Sequence, residues 1–345
     1  MSKAEKKILI VYTGGTIGMM KLPDTGVLVP VDFERIWRHV PELKRFGYEL
    51  NSLTFDPPID SSNITPDIWV KIAMIVFSNY NQYNGFVILH GTDTMAYTAS
   101  AVSFMLQHLA KPVIFTGSQL PIGALRTDGK ENLISAIEIA AAEHNDKPTV
   151  PEVCVYFDNH LFRGNRTTKN NAEDFNAFKS WNYPALAETG VHIRYNFPVI
   201  RYPLSDEKLE LHEKLELNVA VLKLFPGMND SVLDAILEIK GLKGLILETF
   251  GSGNAPSNNN LLGKIKNATD QGIIVLNITQ CNLGSVEHGR YETSNELQKH
   301  GVVSGFDMTT EAAITKLMYL LGNYDDIELI KLLLQTSIVG EITVN

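Results

Sequence analysis

The sequence predicts an α/β protein of two domains. The larger N-terminal domain (1–197) holds a parallel sheet, and the smaller C-terminal domain (218–345) is α/β as well; a linker over 198–217 joins them. Three observations carry this reading. Short β-rich apolar runs alternate with longer stretches of helical spacing, the mark of a parallel sheet covered by helices. The alternation breaks at PVIRYPLSDEKLELHEKLEL, largely charged and without a clear period, and resumes beyond it. The length of 345 residues also exceeds what one core ordinarily holds.

In chain order, Ile8 to Tyr12 reads as the first strand, since the charged start and short ILIVY run lead into TGGTIG and not into a signal-peptide cleavage site. Gly85 to His90 and Pro112 to Thr116 follow as strands. Between them, Met95 to Leu109 has helical spacing, with Asp93 and Thr94 as candidate caps. Asp128-Gly-Lys-Glu131 resembles a capping box ahead of NLISAIEIAAA, and Val153 to Phe157 is a fourth strand. In the second half, strands are expected at Val219–Phe225, Gly244–Phe250 and Ile273–Thr279, with helices near Ser231–Ile239 and Asn260–Ala268. Gly272 has the position of a C-cap. Helices over Thr310–Leu321 and Asp326–Leu334 close the chain.

Composition narrows the function. Lys and Arg total 30 against 39 Asp and Glu, a formal net charge of −9, which disfavours nucleic acid and anionic membranes as partners. No apolar run approaches the roughly 20 residues that span a bilayer. The two cysteines, Cys154 and Cys281, read as reduced core thiols, and a cytoplasmic location is expected. The nine histidines form no H-E-x-x-H or C-x-x-C-type pairing, so no metal or other cofactor is expected. His90 itself reads as a packing or hydrogen-bonding residue.

Ligands of open parallel sheets gather beyond the carboxyl ends of the strands. Three polar clusters fall there: Thr13-Gly-Gly-Thr16-Ile-Gly18, His90-Gly-Thr92-Asp93-Thr94 and Thr116-Gly-Ser118-Gln119. TGGTIG supplies neither the G-x-G-x-x-G dinucleotide fingerprint nor a Walker loop. A threonine is a weak nucleophile that needs a base, and a lysine whose pKa is lowered can serve when a carboxylate orients it. Lys169, in RGNRTTK after the fourth strand, is such a lysine unless it is ordinary solvated charge. Asp60-Ser61-Ser62, after a short extended stretch, suits an ammonium and a carboxylate, while its plainer reading is a turn or helix cap before Thr65-Pro66.

TGGTIG, HGTDTM, TGSQLP, TDGKENL and RGNRTTK, in this order, resemble the bacterial-type L-asparaginase family, closest to its type I, cytoplasmic branch. GSGNAP and GFDMTTEAAITKL extend the resemblance over the whole chain. It implies a flavodoxin-like N-terminal domain and a Rossmann-like C-terminal one, and hydrolysis of L-asparagine to L-aspartate and ammonia through a covalent acyl-enzyme, with L-glutamine a weaker substrate. Carried over by motif, Thr16 is the nucleophile, Lys169 the base acting with Thr92, and Asp93 its orienting carboxylate or a contact of the substrate amine. Which threonine attacks first follows from the family and not from spacing. Asp60 and Ser61 would bind the substrate's charged α-groups, and backbone N–H groups near Thr92 and Ser118 the oxyanion. Asn254 would reach a site from a neighbouring subunit, implying a homodimer or homotetramer. Two features depart from the pattern. Many members carry a Tyr where Val27 stands, with Tyr291 the substitute candidate here. Some type I members also use a basic residue for a second asparagine site where this chain has Leu247-Glu248-Thr249. The competing expectations are a tRNA-dependent amidation subunit, which usually has an extra N-terminal module, and an amino-acid binding protein that has kept the fold.

Overall fold

The computed structural model describes residues 6–21, 28–30, 33–203, 207–257, 259–287, 289 and 292–343. The chain forms two units, Met1–Ser180 with Pro184–Leu211, and Trp181–Tyr183 with His212–Asn345.

In the first unit, β1 (Lys7–Gly14), β2 (Glu49–Ile59), β3 (Gly85–Leu89), β4 (Val113–Thr116) and β5 (Val153–Phe157) run parallel. Their spatial order is 2-1-3-4-5, the doubly wound flavodoxin arrangement. Beyond β5 the sheet continues antiparallel through β6 (His160–Arg163), β7 (Ala187–Thr189) and β8 (Ile193–Tyr195). Every residue of β3, β4 and β5 is buried, as continuous apolar strands covered on both faces require. The unit's longer helices are α1 (Pro66–Asn79), α2 (Met95–Met105) and α3 (Gly129–Ala141), beside a seven-residue helix over Phe33–His39. All of α2 except Tyr97 is buried, which its Ala and Ser residues permit by letting neighbouring backbone approach.

Several local expectations give way to tertiary pairing. The helix expected to reach Leu109 stops at Met105, because Leu106–Gln107 pairs antiparallel with Glu210–Leu211. Helix α1 has no counterpart in the sequence reading: its apolar residues do not keep to one face, and Met74 and Phe77 are exposed. Strand β2, read only as a short extended stretch, has 11 residues along the edge of β1. Cys154 is buried in β5, but Cys281 is exposed in the bend after the strand Ile274–Thr279 of the second unit and is not a core thiol.

The second unit carries a four-stranded parallel sheet: β9 (Val219–Lys223), β10 (Gly244–Thr249), β11 (Ile274–Thr279) and β12 (Val303–Ser304). Around it lie α4 (Asp230–Leu237), α5 (Asn259–Asp270), α6 (Glu292–Lys299), α7 (Thr310–Asn323) and α8 (Ile327–Leu334). Asn229, Thr309 and Asp326 cap α4, α7 and α8 through their side-chain oxygens. A buried ion pair ties the C-terminal segment to α7. Lys316 Nζ lies 2.5 Å from Glu341 Oε1, with both side chains fully buried, and donates to the Leu334 and Thr336 carbonyls. Glu341 in turn accepts from the backbone N–H of Ile338 and Val339. Among the described residues no helix is long and apolar enough to cross a membrane.

Candidate active site

In the 2-1-3-4-5 order the winding reverses between β1 and β3, and ligands of such sheets bind at this point, beyond the carboxyl ends of the strands. Thr16 and Thr92 lie on the loops after β1 and β3. Gly15 has φ 86°, and a Cβ placed there would stand 2.5 Å from the N and Cα of Gly91. The two backbones therefore touch, which only glycines allow, and each threonine is the next residue along. Thr16 begins a 3-10 turn, Thr16–Gly18, clamped from beneath by Tyr12, whose buried hydroxyl donates to the Gly18 carbonyl at 3.1 Å. Burial raises the Tyr12 pKa, so the phenol keeps the proton it donates. Thr13 Oγ1 donates to the Leu89 carbonyl at 2.9 Å and ties the same loop to β3.

The loop after β2 reaches the same place. Ser61 is buried against Gly91, and Thr94 Oγ1 donates to the Ser61 carbonyl at 2.7 Å. Asp60 is exposed and accepts from Ser62 N and Ser62 Oγ, each at 2.9 Å, so its carboxylate also caps the Ser61–Asn63 turn.

Lys169 arrives from the far side of the sheet. At the end of β6, Arg163 forms a buried ion pair with Glu152, with Nε 2.5 Å from Oε2. A turn over Gly164–Arg166 follows, and Thr168–Lys169 then pairs with Phe178–Lys179. From this short ribbon Lys169 Nζ contacts Thr92 Oγ1 at 2.8 Å and Asp93 Oδ1 at 2.6 Å. A hydroxyl, an amine and a carboxylate thus stand within hydrogen-bonding reach, the arrangement needed to move a proton to or from an attacking or leaving group. The Lys169 side chain is 18% exposed and that of Asp93 60%, so the carboxylate also faces solvent.

Two neighbours of this group were not singled out as site residues by sequence. Gln119, four residues into the cluster that begins at Thr116, accepts from Thr92 Oγ1 at 3.2 Å. Asp128 does not cap α3 with its side chain. Its carboxylate receives the backbone N–H of Gln119 and Leu120, while Thr127 Oγ1 accepts from Gly129 N. Burial pushes the Asp128 pKa up, and the two amide bonds oppose that rise. Ser118 is buried, and its hydroxyl donates to the Leu120 carbonyl within its own loop. His90 packs beneath: Nδ1 donates to the Gly91 carbonyl at 2.7 Å, and Nε2 lies 3.0 Å from Thr98 Oγ1. Burial lowers its pKa to about 4, so the ring is neutral at pH 7 and both nitrogens are engaged. Among the described residues no group of three or more His, Cys, Asp or Glu is placed to hold a metal ion.

Asn254 lies in the second unit, in a tight turn after β10 where Phe250 and Asn254 exchange backbone hydrogen bonds. In that unit Glu248 accepts from Thr310 Oγ1 at 2.9 Å and lies 3.8 Å from Lys223 Nζ. Tyr291 and Val27 fall outside the described residues.

Comparison with known proteins matches both halves of the chain. The family model "Asparaginase, N-terminal" matches residues 7–201, and "Glutaminase/Asparaginase C-terminal domain" matches 218–334. L-asparaginase 1 of Escherichia coli K12 is 44% identical over 343 residues, 98% of each protein. The 60 kDa lysophospholipase of Mus musculus is 42% identical over 92% of this chain and 59% of that protein. The crystal structure of L-asparaginase I from Vibrio cholerae superposes with a TM-score of 0.89 at 42% identity, covering 99% of this chain and 100% of that one. With both family models matched and the likeness running from end to end, the chain belongs to the asparaginase family.

Proposed function

We propose that the chain is an L-asparagine amidohydrolase acting through an acyl-enzyme on Thr16. The observation that carries the reading is the amine of Lys169 bonded to both Thr92 and Asp93, beside the loop that presents Thr16. Thr16 Oγ attacks the side-chain amide carbon of asparagine. The C–N bond breaks, ammonia leaves with a proton, and water then cleaves the aspartyl ester to free Thr16. The Thr16 proton passes to the departing nitrogen. In the hydrolysis step Thr92 takes a proton from the attacking water while handing its own to neutral Lys169, which returns it to Thr16 as the ester C–O bond breaks. Asp93 orients the lysine or holds the substrate amine. The backbone N–H groups near Thr92 and Ser118 stabilise the oxyanion, at about 2.7–4 kcal/mol per donor. Ser118 contributes its backbone, since its hydroxyl is used within the loop. Ser61 and Asp60 hold the substrate's α-carboxylate and α-amine.

The catalytic residues belong to a domain over 1–197, with 198–217 leading into a second domain over 218–345. Asn254 completes the site of a neighbouring subunit in a homodimer or homotetramer, and Tyr291 is the substitute for the activating tyrosine. The protein works in the cytoplasm, without a metal or other cofactor. Support for the subunit and location readings comes from the motif resemblance, and for the domain bounds from the break in the strand–helix alternation over 198–217.

The deciding experiment measures ammonia release from L-asparagine and L-glutamine over a full titration, with a lysophospholipid ester as a second acyl substrate. Asparagine turnover that falls by several orders of magnitude in Thr16→Ala and in Thr92→Ala, both folded, is the expected result. Near-normal rates in both variants defeat the mechanism, and ester cleavage without ammonia release defeats the substrate.

A further inference from the structure

We propose that Gln119 is a positioning residue that holds the Thr92 hydroxyl in its resting orientation, an inference that rests on the amide-hydrolysis reading above. A carboxamide has one oxygen acceptor and two N–H donors. Here Nε2 lies 3.3 Å from the Ala172 carbonyl and 3.1 Å from the Asp174 carbonyl. Carbonyls only accept, so the nitrogen must face them and Oε1 must face Thr92. The backbone end is held as firmly: Gln119 N donates to Asp128 at 2.9 Å from Oδ2, and Asn132 Nδ2 holds that carboxylate at 3.3 Å. Both ends of the residue are thus tied to separate segments, and the carboxamide oxygen presents one fixed acceptor.

Thr92 has one proton to give. While Lys169 Nζ donates to Thr92 Oγ1 at 2.8 Å, that proton must go elsewhere, and Gln119 Oε1 at 3.2 Å receives it. The hydroxyl then turns a lone pair toward the lysine. When Lys169 loses its own proton, its lone pair competes at the shorter distance, and the longer bond to Gln119 is the one to yield. Gln119 is therefore a waiting acceptor. It keeps Thr92 aligned with Lys169 until transfer, without touching the substrate. Loss of this alignment lowers the fraction of molecules ready to react, so the effect falls on kcat and spares KM.

The test compares wild type, Gln119→Met and Gln119→Glu by steady-state ammonia release from L-asparagine, with thermal unfolding of each. Methionine keeps the length and removes the hydrogen bonds of the carboxamide; ionised glutamate keeps the acceptor for Thr92 and loses both donors to the 172–174 segment. Expected is a kcat about tenfold lower in Gln119→Met with KM within about threefold, and recovery of kcat to within about threefold of wild type in Gln119→Glu. Wild-type kcat in both variants overturns the proposal. Equal loss in both also overturns it, because the residue then serves only to hold residues 172–174. Should Gln119→Met unfold, Gln119→Leu takes its place. A wild-type protein that releases no ammonia removes the parent reading itself, an outcome distinct from active wild type with unaffected variants.

Discussion

A single methyl group added at Gly91 tests whether the three rim loops form one site. Its Cβ would stand 2.5 Å from Ser61 Oγ and 2.6 Å from Ser61 Cβ. That is about 0.9 Å inside an ordinary carbon contact of about 3.5 Å. Ser61 is 3% exposed, and its carbonyl is held by Thr94 Oγ1, so it yields only by displacing the loop after β2. Overpacking of this kind costs about 1–3 kcal/mol of stability. If Ser61 binds the substrate carboxylate, a shift near 1 Å lowers kcat/KM by about a hundredfold. The assay is the asparagine titration on Gly91→Ala, beside urea unfolding at the same pH. Adding Ser61→Gly to that variant removes both crowded atoms, so stability should recover while activity stays low for want of the hydroxyl. A folded Gly91→Ala protein with kcat/KM within about threefold of wild type would refute the placement of Ser61 at the substrate.

Two further predictions concern buried ionisable groups. The pKa of His90 is about 4 in the folded chain against 6.5 for the free side chain, so the unfolded chain binds the proton first as pH falls. The stability His90 contributes is complete above pH 6.5 and is lost between 6.5 and 4, by about 3 kcal/mol. Urea unfolding across that window should show a flatter slope in His90→Gln, and identical slopes would contradict the assignment. For the ion pair in the second unit, burial lowers the Lys316 pKa while Glu341 opposes the shift. Lys316→Met leaves the Glu341 carboxylate buried without its counter-charge and should cost about 3–5 kcal/mol, with Glu341→Leu in the same chain restoring part of the loss. A loss below about 1 kcal/mol in the single variant, read by denaturant unfolding, would show that water reaches the pair.

Much of the fold was open to a reader of the sequence because its signals are local. The runs that became β1, β3, β4, β5, β10 and β11 are continuous and apolar because their strands are covered on both faces, whereas β9 is an edge strand with only Leu222 buried. The edge elements lack that signature: β6–β8 are short and antiparallel, and α1 scatters its apolar residues around the helix. Cys281 misled the reading because an apolar run beside a residue does not say whether the residue lies in the strand or in the bend after it.

At the site, the sequence by itself determined the chemical inventory: threonines, a lysine and carboxylates set beside glycines at strand ends, with the family they resemble. Tertiary structure decided which of them meet. Lys169 reaches Thr92 across 77 residues, and Gln119 reaches the Asp174 carbonyl across 55. Asp128 has the local sequence of a helix cap, yet folding spends its carboxylate on the loop amides of Gln119 and Leu120. The physical reason is common to all three. A polar side chain in a loop has several partners within reach, and the sheet order that brings one of them near arises from packing over the whole unit, which no short stretch of sequence encodes.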